Sequence, residues 1–180
     1  MTLIEQNRKC FANGVVYALE TQDGYPLEVT DTFLPYYTKG AIGRQQNTLH
    51  SNDLGDRTQR WMIGVSCMSG CPVGCKFCAT GNLEKWRNLT AEEIEAQVDY
   101  ALAMVKWGYT PQGAQEFKVN YTRMGEPFLN LKAVRGAVER LGARFTGVHH
   151  YVSTIGVRGS DFSWIKGDIT LQISLHSLEV

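Results

Sequence analysis

Three of the chain's five cysteines fall within one eight-residue segment, Cys71-Pro-Val-Gly-Cys-Lys-Phe-Cys78, and no other feature limits the chain so strongly. The spacing is C-x3-C-x2-C, directly after the apolar run WMIGVS at 61–66, which reads as a buried strand. Thiolates are the usual ligands of iron–sulfur clusters, and most clusters take four of them. Three on one tight loop leave an iron without a protein ligand, open to a substrate or cofactor. Gly74 allows the loop to turn tightly around an inorganic core. A structural zinc site would show a fourth Cys or His at short spacing. The nearest cysteine, Cys67, lies on the strand side, and the nearest histidine, His50, is distant. A closed cluster would need a further cysteine later in the chain, and none follows Cys78. The spacing points to Cys71, Cys75 and Cys78 as ligands of an iron–sulfur cluster, with a structural zinc site and unliganded cysteines as the alternatives.

The segments around the loop predict an α/β fold. Residues 14–19 and 27–30, joined by Thr21-Gln-Asp-Gly24, predict a small hairpin. Residues 37–58 are polar, with no helical or strand period, and read as a long functional loop. Thr90 with Glu93 forms a capping box, and Ile94, Val98, Ala101, Leu102 and Val105 then share one helical face, closed by Lys106-Trp-Gly108. Strands are expected at 116–121, 149–154 and 169–175, and a helix at 131–141 with Gly142 as its C-cap. About four strands alternating with helices imply parallel pairing. The expected division is a hairpin and polar-loop region over 1–60 and an α/β core over 61–180. The last strand lies just before Val180. An open edge is an aggregation hazard, so either the chain is a fragment or a partner chain covers that strand.

Eighteen Lys and Arg balance eighteen Asp and Glu. That balance gives no general pull towards nucleic acid, which usually meets a more basic surface. No run of about 18 apolar residues is present, so no membrane span is expected. Met1–Cys10 lacks the apolar stretch of a secretory signal. A cytoplasmic location follows, where cysteines serve as ligands or free thiols more often than as disulfides.

The loop resembles the cluster motif of the radical S-adenosylmethionine superfamily, with Phe77 at the aromatic position that lies near the cofactor's adenine. Within that superfamily the chain is most similar to the RNA adenine methyltransferases of the RlmN and Cfr type. Phe77-Cys-Ala-Thr-Gly81 and Arg87-Asn-Leu-Thr-Ala-Glu-Glu-Ile94 resemble that family's stretch after the cluster. Gln97-Val98 continues that stretch, Met124-Gly-Glu-Pro-Phe-Leu-Asn130 resembles the family's Gly-Glu-Pro motif, Ser153-Thr-Ile-Gly156 its Ser-Thr-x-Gly turn, and Ile173-Ser-Leu-His176 its Ser-Leu-His segment. The hairpin resembles the family's small region before the barrel. The resemblance implies a partial (β/α) radical S-adenosylmethionine barrel. It implies that Gly125 and Glu126 meet the methionine amino end of S-adenosylmethionine. Ser153, Ser174, Leu175 and His176 would meet its ribose and carboxylate side, and Glu28 would be the proton acceptor. It further implies reductive cleavage of the cofactor to a 5′-deoxyadenosyl radical, an RNA (rRNA or tRNA) substrate, and an electron donor such as flavodoxin or ferredoxin.

Two features depart from that family. Its methyl-carrying cysteine lies beyond the barrel, and no cysteine follows Cys78 here. Its other cysteine stands seven residues before the first cluster cysteine, a position held by Gly64. Cys67 lies three residues later, on the opposite face of a continuing strand. A radical enzyme of non-methylating outcome, a truncated cluster-binding module without catalysis, and a structural zinc protein are therefore alternative readings.

Overall fold

The computed structural model describes residues 2–35, 54–105 and 108–176. In chain order the strands are β1 (Ile4–Phe11), β2 (Gly14–Glu20), β3 (Pro26–Leu34), β4 (Arg60–Val65), β5 (Met68–Ser69), β6 (Arg87–Asn88), β7 (Glu116–Tyr121), β8 (His149–Thr154) and β9 (Ile169–Ile173). The helices are α1 (Ala91–Met104) and α2 (Leu131–Arg144). Seven strands form one sheet in the order β1-β2-β3-β4-β7-β8-β9. The first four run antiparallel to one another, and β4, β7, β8 and β9 are parallel. The hairpin thus continues hydrogen bond by hydrogen bond into the parallel strands, with Thr30 opposite Gly64 and Gly64 opposite Asn120. Among the described residues the sheet is open and no barrel closes.

Alternation along the strands separates two faces. One is apolar. Tyr17, Leu19, Leu27, Val29, Trp61, Ile63, Val65, Val119, Tyr121 and Val152 are all buried there. The helices cover it with Ile94, Val98 and Ala101 from α1 and Val134, Ala137 and Leu141 from α2. Each helix makes the crossover between two parallel neighbours, α1 from β4 to β7 and α2 from β7 to β8. Glu95 of α1 bridges to α2 through Arg140 (2.6 Å) and Arg144 (2.5 Å). The opposite face is polar. Lys118 donates to the Tyr151 hydroxyl (3.0 Å), and the Ser153 hydroxyl donates to Gln172 (2.8 Å).

The four parallel strands and the capping box at Thr90 stand where the sequence puts them; Glu93 N–H donates to Thr90 Oγ1 (3.1 Å), and Thr90 N–H to Glu93 Oε2 (2.8 Å). Three expectations change. Gly142 does not stop α2, which runs on to Arg144 with Phe145 as C-cap. No helix separates β8 from β9; turns fill residues 155–168. β1 is an additional strand, and its polar, exposed residues carry no apolar alternation that would reveal it. Most of the polar loop at 37–58, the helix-closing pair 106–107, His50 and Val180 lie outside the described residues. β9 forms one edge of the sheet, and Ile173 is exposed there.

Candidate active site

The cysteine loop leaves the sheet from the end of β4 and is pinned at both legs. Ser66 is clamped by the buried Gln97 of α1, whose Oε1 accepts Ser66 N–H (2.8 Å) and whose Nε2 donates to Ser66 O (2.9 Å). The Ser66 hydroxyl donates to Glu28 O (2.7 Å) and accepts from Glu28 N–H (3.1 Å), joining β3 to the same point. Cys67 and Met68 N–H both donate to Met124 O, at 2.9 and 3.1 Å. Asn130 Nδ2 donates to Cys67 O and Leu89 O, both at 2.7 Å, holding the outgoing and returning legs together. β5 pairs with β6 across the loop's base. Gly70, at φ +71°, lets the legs touch, because a Cβ there would stand 2.6 Å from Lys85 O. Beyond that clamp the loop is held more lightly, by Cys78 N–H to Cys75 O (3.0 Å) and Gly81 N–H to Cys78 O (3.1 Å).

Cys71, Cys75 and Cys78, each half-buried, line one side of a cavity of about 270 Å³. The other side is built from the C-terminal ends of the parallel strands, where open α/β sheets place ligands. Arg123, Gly125 and Glu126 follow β7, Ser153 and Ile155 lie at the end of β8, and Ser174 and His176 follow β9. Gly125 takes φ +96°, and a Cβ there would stand 2.5 Å from Met68 Cβ. Glu126 is buried at the cavity wall. Its Oε1 accepts Phe128 N–H (3.1 Å) and its Oε2 accepts Ile155 N–H (3.0 Å), so one carboxylate joins the turns after β7 and β8. Ser174 N–H donates to Thr154 O (2.8 Å), carrying the β8–β9 ladder up to the rim. Phe77 is 73% exposed although aromatic, and it meets His176 edge to face.

The donor set fits a polynuclear cluster. Burial raises the Cys71 thiol above its ordinary pKa, and the neighbouring Cys75 and Cys78 raise it further. Three thiolates so placed are mutually unfavourable until a cationic centre neutralises them. Among the described residues no three His, Cys, Asp or Glu side chains form a group able to hold a metal ion as they stand. A mononuclear zinc needs its ligands about 2.3 Å from a single point. A cluster takes each thiolate on a different iron and so tolerates a wider spread.

Most of the residues singled out in the sequence meet at this cavity: the three cysteines, Phe77, Gly125, Glu126, Ser153, Ser174 and His176. Leu175 does not line it and is 70% exposed. Glu28 stands on β3 outside the lining, but its carboxylate pairs with Arg123, which lines the cavity. Cys67 is buried in the apolar core, donating its thiol to Met124 O (3.5 Å), while Gly64 faces Thr30 and Arg123. The sequence reading gave no role to Arg123, nor to Gln97 and Asn130, which lie in or beside the segments that resemble the family. Arg123 directly precedes the Met-Gly-Glu-Pro motif and could have been found by that adjacency. The two amides act through backbone groups and leave no local pattern.

No family model matches the chain. The chain is 37% identical over 134 residues to a protein of Acidothermus cellulolyticus named "Probable dual-specificity RNA methyltransferase RlmN", covering 69% of this chain and 31% of that protein. It is 36% identical over 152 residues to the protein of the same name from Gloeobacter violaceus, covering 82% of this chain and 40% of that one. Against the dual-specificity RNA methyltransferase RlmN of Oleidesulfovibrio alaskensis it is 31% identical over 183 residues, covering 97% of this chain and 47% of the relative. The chain thus spans less than half the length of these curated relatives. Among solved structures, a radical SAM methyltransferase from Sphaerobacter thermophilus matches 86% of this chain and 39% of its own, with a TM-score of 0.60 and 27% identity. By sequence the chain is therefore a homologue of the proteins named RlmN, and by fold a relative of a radical S-adenosylmethionine methyltransferase.

Proposed function

We propose that this chain carries the cluster- and cofactor-binding part of a cytoplasmic radical S-adenosylmethionine enzyme acting on RNA. The observation that carries this reading is the meeting of three loop cysteines, an exposed aromatic and three strand-end segments at one cavity. In this reading Cys71, Cys75 and Cys78 hold a [4Fe–4S] cluster, and the parallel strands are part of a (β/α) barrel core over 61–180, with residues 1–60 as its preceding region. When bound and reduced, the cluster supplies the electron that cleaves S-adenosylmethionine to a 5′-deoxyadenosyl radical.

The chain's own residues do the positioning. Phe77 offers a face to the adenine. Gly125, having no side chain, exposes its backbone to the amino end of the cofactor. Glu126 keeps the β7 and β8 turns together and adds negative charge beside that ammonium. Ser153, Ser174 and His176 supply hydroxyl and imidazole contacts on the ribose and carboxylate side, and Leu175 the intervening backbone. Glu28 is the proton acceptor of the methylating version of the reaction. An external donor such as flavodoxin or ferredoxin supplies the electron, and a partner chain covers β9.

A specific observation favours a second reading, a radical reaction without methyl transfer. At the position where the resemblance to the family implies a cysteine, Gly64 stands against Thr30 Oγ1 and Arg123 Cδ, which a built Cβ would meet at 2.4 and 3.0 Å. A thiol does not enter there unless both neighbours move. The test is anaerobic cluster reconstitution followed by EPR of the reduced protein with and without S-adenosylmethionine. A [4Fe–4S] signal that changes on adding the cofactor is expected; a signal indifferent to it identifies a cluster-binding module without this chemistry. 5′-Deoxyadenosine formed without methylated RNA separates the second reading from the first.

A further inference from the structure

Arg123 holds a distinctive place at the cavity. Its N–H donates to Val65 O (3.2 Å), fixing its backbone between the ends of β4 and β7. Among the described residues it is the only Lys or Arg lining the cavity. Its aliphatic arm lies over Gly64, so the missing side chain at 64 is what seats the arm against the polar face of the sheet. Beside it on that face, Lys118 is engaged with Glu116 (2.9 Å) and Tyr151 (3.0 Å) and Arg60 with Glu116 (2.7 Å), while Lys9, out on β1, lies against the Phe11 ring. Arg123 has Glu28 as its carboxylate partner, and both side chains keep about a third of their surface in solvent (35% and 37%). A pair so exposed is weak and readily exchanged. Burial lowers the pKa of Arg123, as expected of a guanidinium stripped of part of its water.

We propose that Arg123 is the substrate-anion site of this cavity, taking one phosphate of a single-stranded RNA in exchange for Glu28. The proposal rests on the RNA-directed reading above and adds the group that anchors the strand. A guanidinium presents a planar fork of donors that phosphate oxygens match in pairs. Enzymes and binding proteins that read RNA bases take them from unpaired strands, so the phosphate beside a base travels with it to the pocket. With a net charge of zero, the chain concentrates its attraction for the strand at a local anchor. The exchange has a second effect. It leaves the Glu28 carboxylate without its cation beside the cavity, so arrival of the strand and exposure of that carboxylate are one event.

The test uses the cluster-loaded protein under anaerobic conditions. A fluorescein-labelled single-stranded oligoribonucleotide containing adenine is titrated by anisotropy across a range of KCl concentrations. Wild type, Arg123→Gln and Glu28→Gln are compared. Arg123→Gln is expected to weaken binding roughly tenfold at low salt. It should also reduce the slope of log K against log salt by about 0.7, the value for one phosphate contact on a single strand. Glu28→Gln removes the competing carboxylate and is expected to tighten binding several-fold. A slope that Arg123→Gln leaves unchanged overturns the proposal, as does a Glu28→Gln protein that binds no more tightly than wild type. EPR on the same samples separates this proposal from the cofactor reading. Loss of the S-adenosylmethionine response in Arg123→Gln alone assigns the arginine to the cofactor and overturns the phosphate site. Loss of that response in the wild type, with the slope difference intact, sinks the cofactor reading and supports the phosphate site.

Discussion

The rings of Phe77 and His176 meet edge to face with centroids 4.8 Å apart and planes at 86°, so the cysteine loop and the segment after β9 touch across the mouth of the cavity. Phe77 is largely exposed and adds little to the folded state. Phe77→Ala should leave thermal stability within about 0.5 kcal/mol of wild type. The cofactor-dependent EPR change should need more S-adenosylmethionine, by the equivalent of roughly 1 kcal/mol or more of lost stacking. An unchanged cofactor titration would remove Phe77 from the site.

Gln97 offers a sharper test of the scaffold. It is fully buried and satisfies both backbone groups of Ser66, the residue that starts the loop. Gln97→Leu keeps the volume but leaves a buried N–H and C=O without partners. The expected cost is about 2–4 kcal/mol, seen as a shift of the urea midpoint without a change in its slope.

Gly125 and Gly74 both take positive φ, at +96° and +65°, but only Gly125 has neighbours where a Cβ would go. Gly74→Ala should cost only the backbone term of about 1–2 kcal/mol. Gly125→Ala adds overlap with Met68 and should cost clearly more, displacing Glu126 and abolishing the cofactor response. Equal destabilisation of the two variants in urea titrations would contradict this.

Acid should weaken the bridge between α1 and α2. Burial tends to raise the Glu95 pKa, but the hydrogen bonds from Arg140 and Arg144 outweigh it and leave the group lowered. Glu93 behaves likewise, with Arg87 overcoming the effect of burial. A carboxyl whose folded pKa is depressed contributes stability above its unfolded pKa, near 4.5, and loses it as the pH falls through the folded value. Unfolding free energy should therefore decline below about pH 4.5, and Glu95→Gln should flatten that decline. A Glu95→Gln profile parallel to wild type would show that the inter-helix bridge is not the source.

Thiol reactivity should divide the cysteines. Burial, followed by the charge of Glu126, pushes the Cys67 thiol far above its ordinary range. Iodoacetamide applied to cluster-free native protein should label Cys71, Cys75, Cys78 and the exposed Cys10 while sparing Cys67. Mass spectrometry of peptides, native against urea-unfolded, reads the difference directly. Rapid native labelling of Cys67 would show that the core around Met124 opens.

The parallel strands were legible because each is a short run with β-branched or aromatic residues bounded by turn residues, and α1 because its capping box and helical stripe agree. That the three loop cysteines face one cavity was legible, since their spacing is local. β1 was not, because an exposed edge strand such as IEQNRKCF has no buried side to alternate with. Gly142 misled because a glycine near the end of an apolar helical stripe reads as a stop, whereas α2 continues past it to Arg144. The Glu28–Arg123 pair joins β3 to the turn after β7 and exists only once the sheet has been assembled. No spacing in the chain announces it.

The mixed sheet has a consequence for how the chain comes together. β1, β2 and β3 meet through short turns, so their pairings close small loops and belong to the microsecond range of hairpins. β7, β8 and β9 can pair only after long connections have been brought round, and such non-local contacts form slowly. β4 stands between the two halves, hydrogen-bonded to β3 on one side and β7 on the other. The meander can therefore serve as a template, already formed when β4 docks and then presenting a ready edge to each later strand. Destabilising β2 or β3 should slow folding, whereas equal damage at β9 should mainly hasten unfolding.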